Sequence, residues 1–395
     1  MKIYEIGTGY TPIPAQIAAA TESVVEELTR AYLNMGKDVE IIDISSSCRA
    51  EHNLPITQVR VPSVFTKSDV SLGIIHKLKR VVYSVFLAFK LKKILKNLKE
   101  KAIFHFHNQY NLFFFTKIVP QKLRAKAVVA YTNHNGLWSK EWDDVKDVLH
   151  SRYFQEIAAM KSADKVFVLN EKTKENVIKH LEIDDKKVVV IRNGVNTDVY
   201  KPLDEKEILK IKEKHNLTDK KVILQVGSVY ENKGQARVVE MLAPLLKEND
   251  NLVYAYVGGI VSQEYFDRVK MAADENFVSD KTIYLGTVSP GKEMNEIYNI
   301  ADATVFASEY EGFPLVCVES VSAGVPVMLC TDTAVNIGDG SVVATQANIV
   351  SCIRDSILNN PDEYKILRVL ARENAVKNYS WQGIALEYMT KAEAD

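Results

Sequence analysis

In the stretch EYEGFPLVCVESVSAGVPV, residues 309–327, two carboxylates, Glu311 and Glu319, stand eight residues apart around a strand-to-helix turn. The apolar run Thr304–Ser308 predicts a strand ending just before Glu311. The residues after it predict a helix from near Leu315 to Gly324, with Glu319 about one turn inside. Unpaired backbone N–H groups at such a helix start favour an anion such as a phosphate. Two carboxylates beside that anion suit hydroxyls. An anion seat flanked by hydroxyl acceptors is the chemistry of a sugar nucleotide site, and the plainer alternative is a pair of solvated acids beside a helix.

Other residues of chemical interest also follow apolar runs. After Val222–Val226 comes GSVYENKGQ, in which Gly227 permits a tight turn and Lys233 with Gly234 opens the next helix. A lysine there can reach a diphosphate as a point charge. As a merely structural residue it is unfavourable to the helix dipole. In YTNHNG, residues 131–136, His134 stands just past a strand end. His105 and His107 in IFHFHNQYN alternate along a strand and so share one face; His107 is read as a packed, hydrogen-bonded residue. The Gly7-Thr8-Gly9 turn lacks the third glycine of the dinucleotide fingerprint, which argues against a dehydrogenase. Gly9 is read as a close-approach point for a phosphate or an acceptor. Residues 76–99 contain eight Lys or Arg and no acid, with apolar residues at helical spacing. This basic amphipathic helix is either a covering helix, with Phe86 and Phe89 packed on a sheet and its lysines solvated, or an attachment to an anionic membrane surface.

The elements that must position these residues alternate between strand and helix patterns along the whole chain. The fold class is therefore α/β, with parallel sheets covered on both faces. Strands are expected at Lys2–Ile6, Asp38–Ile44, Ile103–His107, Ala127–Thr132, Lys165–Leu169 and Val188–Arg192. A second series is expected at Val222–Val226, Leu252–Val257, Thr282–Leu285, Thr304–Ala307 and Val325–Leu329. The polar segment 192–207, with its Asn-Gly and Lys-Pro turns, reads as a linker, so 395 residues divide into two domains. Hydrophobic content of 47% and charged content of 26% are those of a soluble globular chain, and a formal net charge of −1 gives no overall pull toward nucleic acid. Four scattered cysteines without CxxC spacing argue against zinc or a disulfide framework and fit a reducing cytosol. The start MKIYEIGTGY has no apolar signal-peptide core.

Glu311 followed by Gly-Phe, then Glu319, then Gly-Val-Pro-Val resembles the retaining GT-B glycosyltransferases of family 4. The hinge VIRNGVNTDVYKP and the segment YLGTVSPGKEMNEIYNIAD are similar to that family as well. The resemblance implies two Rossmann-like domains facing across a cleft. An acceptor-side domain would span 1–195, joined by 379–395, and a nucleotide-sugar domain would span 196–378. It implies transfer of a sugar from a nucleoside diphosphate donor, UDP-linked, to a hydroxyl of a glycan or lipid-linked saccharide, without metal or cofactor. Lys233 would neutralise the diphosphate, although Ser228 stands where the family places a partnering arginine. Backbone near Val288 would meet the base, and Glu319 the ribose. Glu311, with the backbone of Gly312, Phe313, Pro314 and Leu315, would hold the transferred sugar, and His134 would orient sugar or acceptor. Gly227 and Gly9 would border the phosphates. Placement is expected in the cytoplasm, peripheral at the inner membrane surface. The alternatives are a sugar-nucleotide epimerase or phosphorylase on the same fold, or a non-catalytic binding or scaffold subunit, which Ser228 favours.

Overall fold

Strands dominated by Val, Ile, Ala and aromatics, with both faces apolar, belong in the middle of a parallel sheet. The computed structural model, which describes residues 1–14, 20–65, 74–330 and 337–394, arranges them in two such sheets. In the first sheet the strands are β1 (Ile3–Ile6), β2 (Val39–Ile44), β3 (Ile56–Val59), β4 (Ala102–Phe106), β5 (Ala127–Thr132), β6 (Lys165–Val168) and β7 (Val188–Val190), in the order β3-β2-β1-β4-β5-β6-β7. The second holds β8 (Lys221–Val226), β9 (Leu252–Val257), β10 (Thr282–Tyr284), β11 (Ala303–Phe306), β12 (Val327–Cys330) and β13 (Ser341–Ala344), in the order β10-β9-β8-β11-β12-β13. Within both sheets neighbouring strands pair in parallel.

The chain forms two compact units, one of residues 1–193 with 381–395 and one of 194–380. In the first, one sheet face carries Tyr4, Ile6, Phe104 and Phe106 under the helix Ile74–Asn97, whose Tyr83, Leu87, Leu91 and Leu95 recur at helical spacing and are buried. The other face carries Ile3, Ile103, Val128 and Phe167. It is covered by Val24, Leu28 and Tyr32 of the helix Ala20–Asn34 and by Ile384, Ala385 and Tyr388 of the helix Trp381–Glu393. In the second unit the helix Gln235–Glu248 packs on one face of the sheet and the helix Leu315–Ser322 on the other. At its margin Val195 bridges Ser380 and donates to the carbonyl of Tyr379 at 2.7 Å.

The structure departs from the sequence reading in several places. Two strands were not expected, β3 and β13, and both are sheet edges. Edge strands meet water along one side, and in both ITQV and SVVA only the last residue is buried. The segment read as linker already contains the start of a helix, Glu205–Lys214, fixed by a capping box between Asp204 and Glu207. Phe86 and Phe89 do not pack on the sheet: they are 46% and 57% exposed. Lys79 is not on a solvated face either, since its amine is buried and donates to the carbonyl of Tyr10 at 2.8 Å. Arg80 stacks over the Tyr10 ring at 4.3 Å. The side chains of His76 and Lys77 lie outside the described residues. None of the described helices is long and apolar enough to cross a membrane.

Gly9 has a reason of its own. Its φ is +80°, and a Cβ there would lie 2.1 Å from the buried ring of Tyr83. Gly36 shares a positive φ, +68°, but has open space around it. Gly36→Ala is therefore expected to lower stability by about 1 kcal/mol from backbone conformation alone. Gly9→Ala is expected to lower it by about 2–4 kcal/mol, because overpacking against Tyr83 adds to the same term. Urea denaturation of both variants checks this, and equal losses would contradict it.

Candidate active site

In a doubly wound sheet the strand order reverses between two central strands, and ligands bind outside the carboxyl ends at that point. In the second unit the reversal lies between β8 and β11, and the sequence motifs leave from those two ends. After β8, Gly227 adopts φ +152° and is crowded by Gly258, where a Cβ would sit 2.2 Å from the Gly227 carbonyl oxygen. The chain passes Ser228 and makes a short turn, Glu231–Lys233, before Gly234 at φ +71° starts the helix Gln235–Glu248. The methylene stem of Lys233 runs along Gly227, and its amine donates to the carboxylate of Glu311 in the loop after β11.

Three buried amide side chains brace the loop after β8, and one of them, Asn232, also ties it to the loop after β11. Asn232 donates from its side chain to the carbonyl of Tyr310 at 3.2 Å and receives the Glu309 N–H on its own carbonyl at 2.9 Å. Gln225 on β8 donates to the Lys233 carbonyl at 2.6 Å while accepting the Tyr254 hydroxyl at 2.6 Å. Gln235 donates to the Ser228 carbonyl at 3.0 Å. Buried amides thus fix the backbone around the Lys233–Glu311 pair.

The helix Leu315–Ser322 begins after Pro314 with no side chain capping its first turn. Phe313, whose ring lies 6.0 Å from that of Tyr379, Leu315 and Val288 are partly buried and pack against the core. Glu319, one turn into the helix, accepts the Tyr298 hydroxyl at 2.8 Å and is also bonded by Tyr200. Burial pushes its carboxyl up to about 7, against the opposing pull of those two hydroxyls. Tyr200 is placed in turn by the Gly291 N–H, 3.1 Å from its hydroxyl. Arg237, in the first turn of the helix Gln235–Glu248, donates to the Ala307 carbonyl at 2.5 Å and lies 3.5 Å from Glu309.

In the first unit the reversal lies between β1 and β4. A cavity of about 200 Å³ is lined there by Thr8, Tyr10, Glu22, His107, Asn108 and His134, among others. Thr8 donates its hydroxyl to Glu22, whose carboxyl burial raises above its ordinary value. The loop that carries His134 is held from below by Glu156. This buried carboxylate accepts Tyr131 Oη at 3.0 Å, Asn135 Nδ2 at 2.9 Å and Trp138 Nε1 at 2.8 Å. His134 meets His107, Nε2 to Nδ1, at 3.1 Å. His107 is the packed, hydrogen-bonded residue expected from sequence, and its partners are Glu5 and His134. Gly9 is not among the residues lining the cavity.

The structure brings Lys233, Glu311, Gly227 and Ser228 to one place and sets Glu319 on the adjoining helix; Gly9 and His134 belong to the other unit. Sequence missed Tyr200, Tyr298, Asn232, Glu22 and Glu156. Of these Tyr200, Asn232 and Tyr298 lay within segments already singled out, and nothing in a linear pattern marks Glu22 and Glu156. Among the described residues, Glu5, His105 and His107 have the composition of a metal site, but Glu5 pairs directly with His105 at 3.0 Å and with His107 at 2.8 Å.

Residues 21–199 match the family model described as Glycosyltransferase Family 4, and residues 207–336 match the one described as Glycosyl transferases group 1. An uncharacterized glycosyltransferase of Methanocaldococcus jannaschii is 27% identical over 56% of this chain and 58% of its own. A GDP-mannose-dependent alpha-(1-6)-phosphatidylinositol monomannoside mannosyltransferase of Mycolicibacterium smegmatis is 24% identical over 48% of this chain and 52% of its own. The matched stretches thus span about half the length of these curated relatives. Among solved structures, Anabaena HepE in complex with UDP and glucose superposes with a TM-score of 0.70 at 14% identity, covering 99% of this chain and 98% of that one, a likeness of fold. With both units matched by adjoining family models and the double parallel sheet matched by GT-B structures, the chain belongs to the family 4 glycosyltransferases of GT-B fold.

Proposed function

We propose that the chain transfers a sugar, with retention of configuration, from a nucleoside diphosphate sugar to a hydroxyl of a glycan or lipid-linked saccharide. The observation that carries this reading is the Lys233–Glu311 pair beside the uncapped start of the helix Leu315–Ser322. An arriving diphosphate competes for the Lys233 amine, and N–H groups at the helix start add to its hold. Glu311 is then released to accept hydroxyls of the sugar. Negative charge on the leaving diphosphate grows in the transition state, so a lysine preorganised at that point stabilises it more than the ground state. This charge scheme and the lack of an Asp-x-Asp motif in the site segments support a metal-independent reaction. Glu311 and Glu319 both serve donor hydroxyls, so neither acts as a nucleophile in the manner of a glycosidase.

A UDP donor is favoured by the UDP-bound Anabaena neighbour; a GDP donor, as in the name of the mycobacterial relative, is the alternative. The second unit is the nucleotide-sugar domain and the first the acceptor domain. Relatives named for phosphatidylinositol mannoside and diphosphoundecaprenol substrates support a lipid-linked acceptor and a peripheral position at the cytoplasmic membrane surface. Incubating the protein with UDP- and GDP-sugars after exhaustive chelation is expected to release the diphosphate, and NMR of the product of an α-linked donor to show an α anomer. Diphosphate release only with added manganese or magnesium, or a β product, would overturn the scheme. Turnover of no donor would leave the non-catalytic reading, and a changed sugar on an intact nucleotide the epimerase reading.

Glu319 makes nucleotide binding pH-dependent. With its carboxyl near 7, it ionises as pH rises through neutrality, and ribose hydroxyls donate best to the ionised form. UDP affinity measured by calorimetry is expected to increase up to about tenfold from pH 6 to pH 8 beyond the titration of UDP itself. In Glu319→Gln that increment is expected to vanish and affinity to fall by about 1–3 kcal/mol.

The membrane position rests on the helix Ile74–Asn97, where Leu78, Val81, Phe86 and Phe89 are exposed and Lys93 and Lys96 follow on the surface. Each exposed lysine adds about 1 kcal/mol of attraction to an anionic surface, less at physiological salt. The protein is expected to sediment with anionic and not with neutral vesicles, and a Phe86→Ser, Phe89→Ser double variant to lose that binding. Equal, negligible sedimentation with both lipids would contradict it.

A further inference from the structure

Four hydrogen bonds in the first unit join Thr132, His105, Glu5, His107 and His134 into one file. Glu5 on β1 stands in register with His105 on β4, on the same face of the sheet. His105 Nδ1 lies 3.0 Å from Glu5 Oε1, and His105 Nε2 lies 2.7 Å from Thr132 Oγ1. On the other side His107 Nε2 lies 2.8 Å from Glu5 Oε2, and His107 Nδ1 lies 3.1 Å from His134 Nε2. The His107 and His134 rings stack with centroids 5.4 Å apart. Glu5, His105 and His107 are buried. His134 is half-buried and lines the cavity at the carboxyl ends of β1 and β4.

Counting protons along this file leaves one arrangement. An ionised carboxylate only accepts, so both imidazoles must turn an N–H toward Glu5. A neutral imidazole has one N–H and one bare nitrogen. His107 with its N–H on Nε2 therefore has a bare Nδ1, which has to accept from His134 Nε2. His134 is left with a bare Nδ1. We propose that Glu5 is a positioning residue which, through His107, fixes His134 as the Nε2–H tautomer and leaves its Nδ1 as a hydrogen-bond acceptor for a ligand hydroxyl in this cavity. This rests on the reading of the chain as a transferase to hydroxyl acceptors.

The protonation states agree with the geometry. Burial acts to raise Glu5, but His105 and the hydrogen bonds from both imidazoles outweigh it and hold the carboxyl down to about 2. Burial, helped by His105 and opposed by Glu5, lowers His107 to about 4, and burial takes His134 well below its ordinary value. The remaining lining suits a hydroxyl donor as well. Its two carboxylates, Glu22 and Glu156, are acceptors, which favours a neutral sugar over a phosphate at this point.

The test is a long-range proton–nitrogen NMR spectrum of the intact chain labelled at its histidines, assigned with single His→Asn variants. The wild type is expected to show His107 and His134 each protonated on Nε2 and bare on Nδ1. An Nδ1–H tautomer on either ring overturns the proposal, as does stoichiometric metal in the purified protein, whose coordination would occupy the lone pairs. Glu5→Gln replaces an acceptor oxygen by an amide donor. In this variant His134 is expected to lose its single tautomer, and kcat/KM for the acceptor to fall about 10- to 100-fold with UDP affinity unchanged. An unchanged His134 spectrum, or an unchanged acceptor kcat/KM, overturns the role of Glu5. Should Glu5→Gln fail to fold, the wild-type spectrum still decides. Should the chain transfer no sugar, the function proposed above falls while the tautomer result stands.

Discussion

Every chemical residue in this chain is placed by strand direction. Parallel pairing sends all strands of a sheet the same way, so the loops that leave their carboxyl ends gather along one edge. Helices must return the chain to the other edge, and they bury both faces as they do so. The centre of each sheet is consequently buried and largely apolar, as in β5, where all six residues are buried. Polar side chains open to a ligand gather at the edge where the strand order reverses. In the second unit that place holds Lys233 and Glu311, and in the first His107 and His134.

The two units solve the problem of buried charge differently. In the second, opposite charges meet each other, with amides fixing the loops around them. In the first, a carboxylate is taken wholly out of water on a sheet face otherwise made of Ile3, Ile103 and Phe167. Removing an ion from water costs several kcal/mol unless hydrogen bonds replace its hydration. Glu5 meets that demand with two imidazole N–H groups, and Glu156 with a phenol, an amide and an indole. Such fully satisfied networks fix side-chain directions more firmly than packing alone.

Much of this was legible in the sequence. Central strands announce themselves by continuous apolar runs, and Ala127–Thr132 and Leu252–Val257 fall where the run predicts. The helix carrying Glu319 was legible from the strand that precedes it and the glycine that closes it. What stayed hidden depends on residues far apart in the chain. The edge strands β3 and β13 are defined by a partner rather than by their own pattern. Tyr200 reaches Glu319 from more than a hundred positions away, and Glu5 meets His107 across a gap of 102. A lone Glu inside the apolar strand IYEI was the visible sign that something buried must pair with it. The exposure of Phe86 and Phe89 was hidden because an amphipathic pattern gives the period of a helix and not which of its apolar residues reach the sheet.

The helix Trp381–Glu393 covers the same face of the first sheet as the helix Ala20–Asn34, although some two hundred residues of the other unit intervene. On a ribosome the second unit, contiguous from 194 to 380, emerges whole and can complete its core as it leaves the tunnel. The first unit, though made earlier, waits with Ile3, Ile103, Val128 and Phe167 partly uncovered until the final segment arrives. The order of completion is then the reverse of the order of synthesis. During that interval the nascent chain presents an apolar sheet face of the kind that chaperones bind.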